Sequence, residues 1–105
     1  MILFSVDVPI SIDNLVREIR NSIKSQFIAY KKEYDYLISQ YSEDEIYKAI
    51  NSIYYSNKSI VAPTSGRYGQ ILRYLEYGGK ETKQMKILSR VSNIFRRRVK
   101  DRHVI

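Results

Sequence analysis

The sequence has no cysteine and no tryptophan, a single histidine, two prolines and four glycines in 105 residues. Without thiols there is no disulfide framework, no thiolate-held zinc or iron–sulfur cluster, and no cysteine nucleophile. One imidazole cannot build a histidine metal centre, and no motif asks for a cofactor, so none is expected. No apolar run approaches the roughly 18 residues that cross a bilayer, and Met1 opens onto an alternating segment instead of a signal-peptide core. A soluble chain with no membrane partner is the expectation.

What is present suffices for one core. With 44% hydrophobic and 28% charged residues the chain is too apolar for a disordered polyelectrolyte and too short for two domains, so 1–105 reads as a single domain. Its charge is polarised. Residues 1–57 carry six Lys/Arg against eight Asp/Glu, whereas residues 58–105 carry twelve against three, and the whole chain is +7. Such asymmetry points the C-terminal half toward an anionic surface or an acidic partner.

The period-two run Ile2, Phe4, Val6, Val8 predicts a strand over about 2–8, ended by Pro9. Leu15, Ile19, Ile23, Phe27, Tyr30, Tyr34, Leu37 and Tyr41 then recur at spacings of three and four, which predicts one long amphipathic helix over about 13–40, capped by Ser11 or Asp13. Ser42 with Glu45 forms a capping box before a shorter helix carrying Ile46, Ala49, Ile50 and Ile53. Strands near 53–55 and 59–62 join through the turn Ser56-Asn57-Lys58. Tyr68, Ile71, Leu72 and Leu75 fit a short helix or an irregular strand closed by Gly78-Gly79. Met85, Leu88, Val91 or Ser92, Phe95 and Val99 mark a last helix over about 83–101. The fold class is α+β: a long N-terminal helix and a basic C-terminal helix packed on a small, mainly antiparallel sheet. A mainly helical fold with one hairpin, in the manner of a winged helix, is the alternative.

The densest chemical signal is the C-terminal cluster Lys83, Lys86, Arg90, Arg96, Arg97, Arg98, Lys100 and Arg102, opposed only by Asp101. Guanidinium and ammonium groups at this density neutralise phosphates and release counterions without reading sequence. The same helix could equally be a solvated face or dock on an acidic protein. Gly66-Arg67-Tyr68-Gly69 has the spacing of a backbone clamp but lacks the framing helices, and reads as a turn. Tyr30, Lys31, Lys32, Tyr34 and Tyr36 interleave aromatics with cations, yet Tyr30, Tyr34 and Tyr41 lie on the apolar stripe and read as packing; Tyr36, Tyr54 and Tyr55 are expected to be exposed and suit a protein interface. A triad of Ser5, Asp7 and His103 is available on paper with nothing to bring it together, and Glu43, Asp44 and Glu45 already have a helix-capping role. No enzymatic activity is expected.

Two short motifs add to this reading. Ile60-Val61-Ala62-Pro63-Thr64-Ser65-Gly66, then Tyr74-Leu75-Glu76-Tyr77-Gly78-Gly79 before a basic amphipathic helix, resembles the tail-completion, or head–tail joining, proteins of long-tailed phages. The opening strand followed by Ser11-Ile12-Asp13-Asn14-Leu15 is similar to that family's helix start. The chain departs from the pattern in two places: Gly66 and Tyr74 are eight residues apart where the family has a hairpin, and Gly79 stands where it prefers Thr. The resemblance implies a structural protein of the virion neck that forms a homo-oligomeric ring and meets other neck and tail proteins. It also implies a subunit contact around Tyr74, Glu76, Tyr77 and Gly78, with the arginine-rich helix facing DNA or an acidic neighbouring ring. Ring closure would bury exposed tyrosines. The alternative function is a small basic DNA-binding protein, a viral or plasmid regulator or architectural factor; a weaker one is an adaptor docking its arginine helix on an acidic host protein.

Overall fold

The computed structural model describes residues 1–6 and 11–103, and side chains through residue 100. The chain runs β1 (Ile2–Ser5), α1 (Ile12–Ala29), a 3₁₀ segment (Lys31–Tyr34), α2 (Asp35–Tyr41), α3 (Glu43–Asn51), β2 (Tyr54–Ser56), β3 (Ser59–Val61), α4 (Gly66–Tyr77) and α5 (Ile87–His103). The helices pack on a three-stranded antiparallel sheet of order β1-β3-β2, which is the expected α+β arrangement. Asn57 and Lys58 both have positive φ, the geometry of a two-residue hairpin turn whose twist matches that of its strands. Phe4 on β1 faces Ile60 on β3, and both are buried beneath the helices. The far end of the predicted first strand, Asp7 and Val8, lies outside the described residues, and Val6 still bonds to the Lys58 carbonyl at 2.8 Å.

The helical stripes are the core. Leu15, Ile19, Ile23 and Phe27 of α1 meet Ile46, Ala49 and Ile50 of α3, Ile71, Leu72 and Leu75 of α4, and Leu88, Val91, Phe95 and Val99 of α5, all buried. Of the predicted α4 stripe only Tyr68 fails, being 37% exposed. The predicted 13–40 helix is in fact two. At Tyr30 the backbone leaves the helical region, winds tighter through Lys31–Tyr34, and resumes as α2. Three residues per turn in the 3₁₀ segment keep Tyr34 and Leu37 pointing inward, so the hydrophobic spacing survives a break that no glycine or proline announces. Tyr34 is fully buried and donates its hydroxyl to the Leu75 carbonyl at 3.1 Å. Ser42 forms the corner into α3 with φ 73° and accepts the Glu45 N–H at 3.3 Å; that half of the capping box forms, whereas Ser11 makes no side-chain cap. No helix among the described residues is long and apolar enough to cross a membrane.

Candidate functional site

Two surfaces carry the side chains singled out by sequence. The first surrounds Tyr74–Gly79. Here the structure corrects the expectation for Glu76, which is buried, and gives Tyr74 and Gly78 contacts within the chain's own fold. Tyr74 is half-buried: its hydroxyl donates to the Lys80 carbonyl at 2.7 Å and meets Thr82 Oγ1 at 3.0 Å, and its ring stacks on Tyr36 at 6.3 Å between centroids. Thr82 in turn donates to the Glu33 carbonyl, so Tyr74 pins the loop after α4 against the 3₁₀ segment. Glu76, 1% exposed, is no surface contact: its Oε2 accepts the Ser89 N–H at 2.9 Å and its carbonyl accepts the Lys86 N–H at 2.9 Å, so it caps the start of α5 from a neighbouring helix. Its Oε1 is buried with no hydrogen-bond partner among the described residues.

Gly78 ends α4 with φ 70°, and a β-carbon there would stand 2.6 Å from the Lys83 carbonyl oxygen, so the turn accepts only glycine. Only Tyr77, 55% exposed, projects outward as expected of a contact residue. It borders a cleft of about 180 Å³ formed with Met1, Ala62, Pro63, Thr64, Leu72, Arg73 and Glu76. Gly69 lets α4 approach this loop, since a β-carbon there would lie 2.6 Å from the Thr64 backbone. Gly66, with φ 74° and open space around it, is the turn expected from sequence, and Gly69 alone is a packing device.

The second surface is α5. The helix begins at Ile87, so Lys83 and Lys86 lie on the loop before it and not on the helix, as the 83–101 boundary had placed them. Burial of Ile87, Leu88, Val91, Ser92, Phe95 and Val99 leaves Arg90, Arg96, Arg97, Arg98 and Lys100 exposed. The side chain of Arg102 lies outside the described residues. Among the described residues, none of these seven cations has a carboxylate within 4 Å; Arg96 instead donates to Asn93 Oδ1 at 3.1 Å. Arg90 sits 5.7 Å from the Tyr30 ring centroid and Arg98 4.9 Å from that of Phe95, held by aromatic faces.

Against α5, α1 presents Asn21, Ser22, Ser25 and Gln26. The two helices bound adjoining hollows of about 260 and 370 Å³, into which Arg98 and then Arg90 and Arg97 also face. Sequence reasoning found the arginines but missed the α1 wall. Its signal was available: no acidic residue occurs from Ile19 to Lys32 or from Thr82 to Lys100.

The N-terminal acids are the counter-case. Glu43 pairs with Lys31 at 2.8 Å, Asp44 with Lys48 at 3.3 Å, and Glu45 with Arg67. Lys31 and the Tyr47 hydroxyl hold the Glu43 carboxyl below the usual carboxylate range, and the same bond pushes the Tyr47 phenol up. Of the paper triad, Ser5 lies 3.5 Å from Ser59 Oγ, while Asp7 and the His103 side chain lie outside the described residues. Tyr36 and Tyr55, expected to be exposed, are half-buried; Tyr54 is exposed. Comparison with protein-family models, curated proteins and solved structures gave no match.

Proposed function

We propose that the protein is a non-enzymatic structural subunit of a virion neck, assembling as a ring of copies in the manner of the phage tail-completion proteins its motifs resemble. The observation that carries this reading is the cleft at Tyr77. The two segments behind the resemblance, Ile60–Gly66 and Tyr74–Gly79, both contribute to its walls, and an exposed tyrosine stands at its edge. A cleft on one copy that receives a different surface of the next is a heterologous contact, the kind that builds a ring when its rotation closes. The basic α5 then faces the passing DNA or an acidic neighbouring ring, and the protein resides in the virion.

Light scattering at 500 mM salt tests this. The reading expects a multimer that resists salt and falls to smaller species on Tyr77→Ser; a multimer indifferent to Tyr77→Ser, or a chain monomeric at every concentration, counts against it.

A second reading, a small basic DNA-binding protein, is favoured by the seven described cations without carboxylate partners. On that reading the mass shifts only when DNA is added at low salt.

A further inference from the structure

We infer that the paired hollows between α1 and α5 form a track for the phosphodiester backbone of nucleic acid, gripped by Arg90, Arg97 and Arg98 and lined opposite by the uncharged donors of α1. The ligand class rests on the second reading above; the location rests on the geometry alone.

Three observations support it. First, Arg90 and Arg98 are held by aromatic rings without being neutralised. A guanidinium held over an aromatic ring, as Arg90 is over Tyr30 and Arg98 over Phe95, keeps its N–H donors free in the plane, so little freedom is lost when a phosphate arrives. Second, the α1 wall carries hydroxyls and amides along the first hollow and Gln26 in the second, over a floor that includes Val91 and Ile94, and none of the residues bounding either hollow is acidic. Such groups hydrogen-bond phosphate and sugar oxygens without adding repulsion. Third, the dimensions suit a strand. Arg90 and Arg98 are eight residues apart on one helix, about 12 Å of rise, long enough for more than one backbone phosphate to be met at once. Neither Arg96 nor Lys100 bounds either hollow.

The proposal separates a built track from mere net charge, and a pair of matched substitutions tests the difference. Ser25→Glu and Gln40→Glu each add one negative charge at an exposed helical position, the first inside the track and the second on α2. Affinity for a labelled 20-base-pair duplex is measured by fluorescence anisotropy from 50 to 200 mM salt, with circular dichroism verifying the fold of each variant. Ser25→Glu is expected to weaken binding about tenfold more than Gln40→Glu, since a like charge inside a contact repels far more than one outside it. Arg90→Ala is expected to reduce the slope of log affinity against log salt by about 0.9, the share of one phosphate contact. Equal weakening by the two glutamates, or a slope unmoved by Arg90→Ala, overturns the track and leaves the DNA-binding reading standing. Failure of the wild-type chain to bind duplex or single strand at 50 mM salt, or tighter binding to polyglutamate than to DNA, overturns both.

Discussion

The acidic start of α3 and the basic face of α5 are made of the same kinds of side chain, yet they end differently. Glu43, Asp44 and Glu45 each hold a cation of the same chain, whereas the α5 arginines lean on aromatic rings and amides. Charge that finds a partner inside the chain is spent on local structure. Charge carried on a rigid helix without one remains available to something outside. The difference lies in placement: α3 begins where Lys31 and Arg67 converge from two other elements, while α5 packs against the carboxylate-free stretch of α1.

The comparison requires α5 to be a fixed platform, so the largest effect should come from undermining it. Leu88→Ala removes a fully buried anchor of α5 and should cost about 3 kcal/mol in denaturant unfolding, lowering DNA affinity in step with the lost fold. Glu76→Ala should cost about 2 kcal/mol and speed amide exchange at Ser89, because a buried charged acceptor is taken from the start of the helix. If that amide exchanges no faster, the cap is misassigned.

Tyr34→Phe should cost about 1 kcal/mol through the lost bond to Leu75. It also predicts a pH dependence. Burial first, and the nearby Glu76 charge second, push the Tyr34 phenol above its ordinary value. The folded state thus holds this proton more tightly than the unfolded chain does. The stability it contributes is present in full below about pH 10, the unfolded phenol's range, and is lost as pH rises further. Thermal melts should show that alkaline loss in the wild type and less of it in Tyr34→Phe.

The smallest effect belongs to the paired region. Arg67→Ala breaks an exposed ion pair and a stacking contact on Tyr41, and should move the unfolding midpoint least of these variants and leave DNA affinity unchanged. A marked fall in DNA affinity would mean that the paired cations also face the ligand.

Much of this fold was legible because hydrophobic period alone marks which face is buried. The stripes at Leu15–Phe27, Ile46–Ile53 and Leu88–Val99 lie where their spacing put them. The hairpin turn was readable from a different local signal, the turn-forming residues Ser56-Asn57-Lys58. The break after Ala29 was not, because a 3₁₀ segment keeps the same spacing of buried residues through a change of direction. The motif at Tyr74–Gly79 was visible as a motif and misread in part. Whether Glu76 points outward or caps a helix ten residues further on depends on how α4 and α5 meet, which is a tertiary fact. The α1 wall of the basic groove was overlooked because Asn21, Ser22, Ser25 and Gln26 are ordinary polar residues until α5 lies beside them.

The most direct test of the proposal that the unpaired cations of α5 bind a polyanion is the salt dependence of duplex binding by the wild type against the Arg90→Ala, Arg97→Ala, Arg98→Ala triple variant. The account predicts a steep wild-type dependence, on the order of 10²-fold between 50 and 200 mM salt for about four phosphates, and a slope shallower by nearly three in the variant. Equal slopes in the two proteins would contradict it.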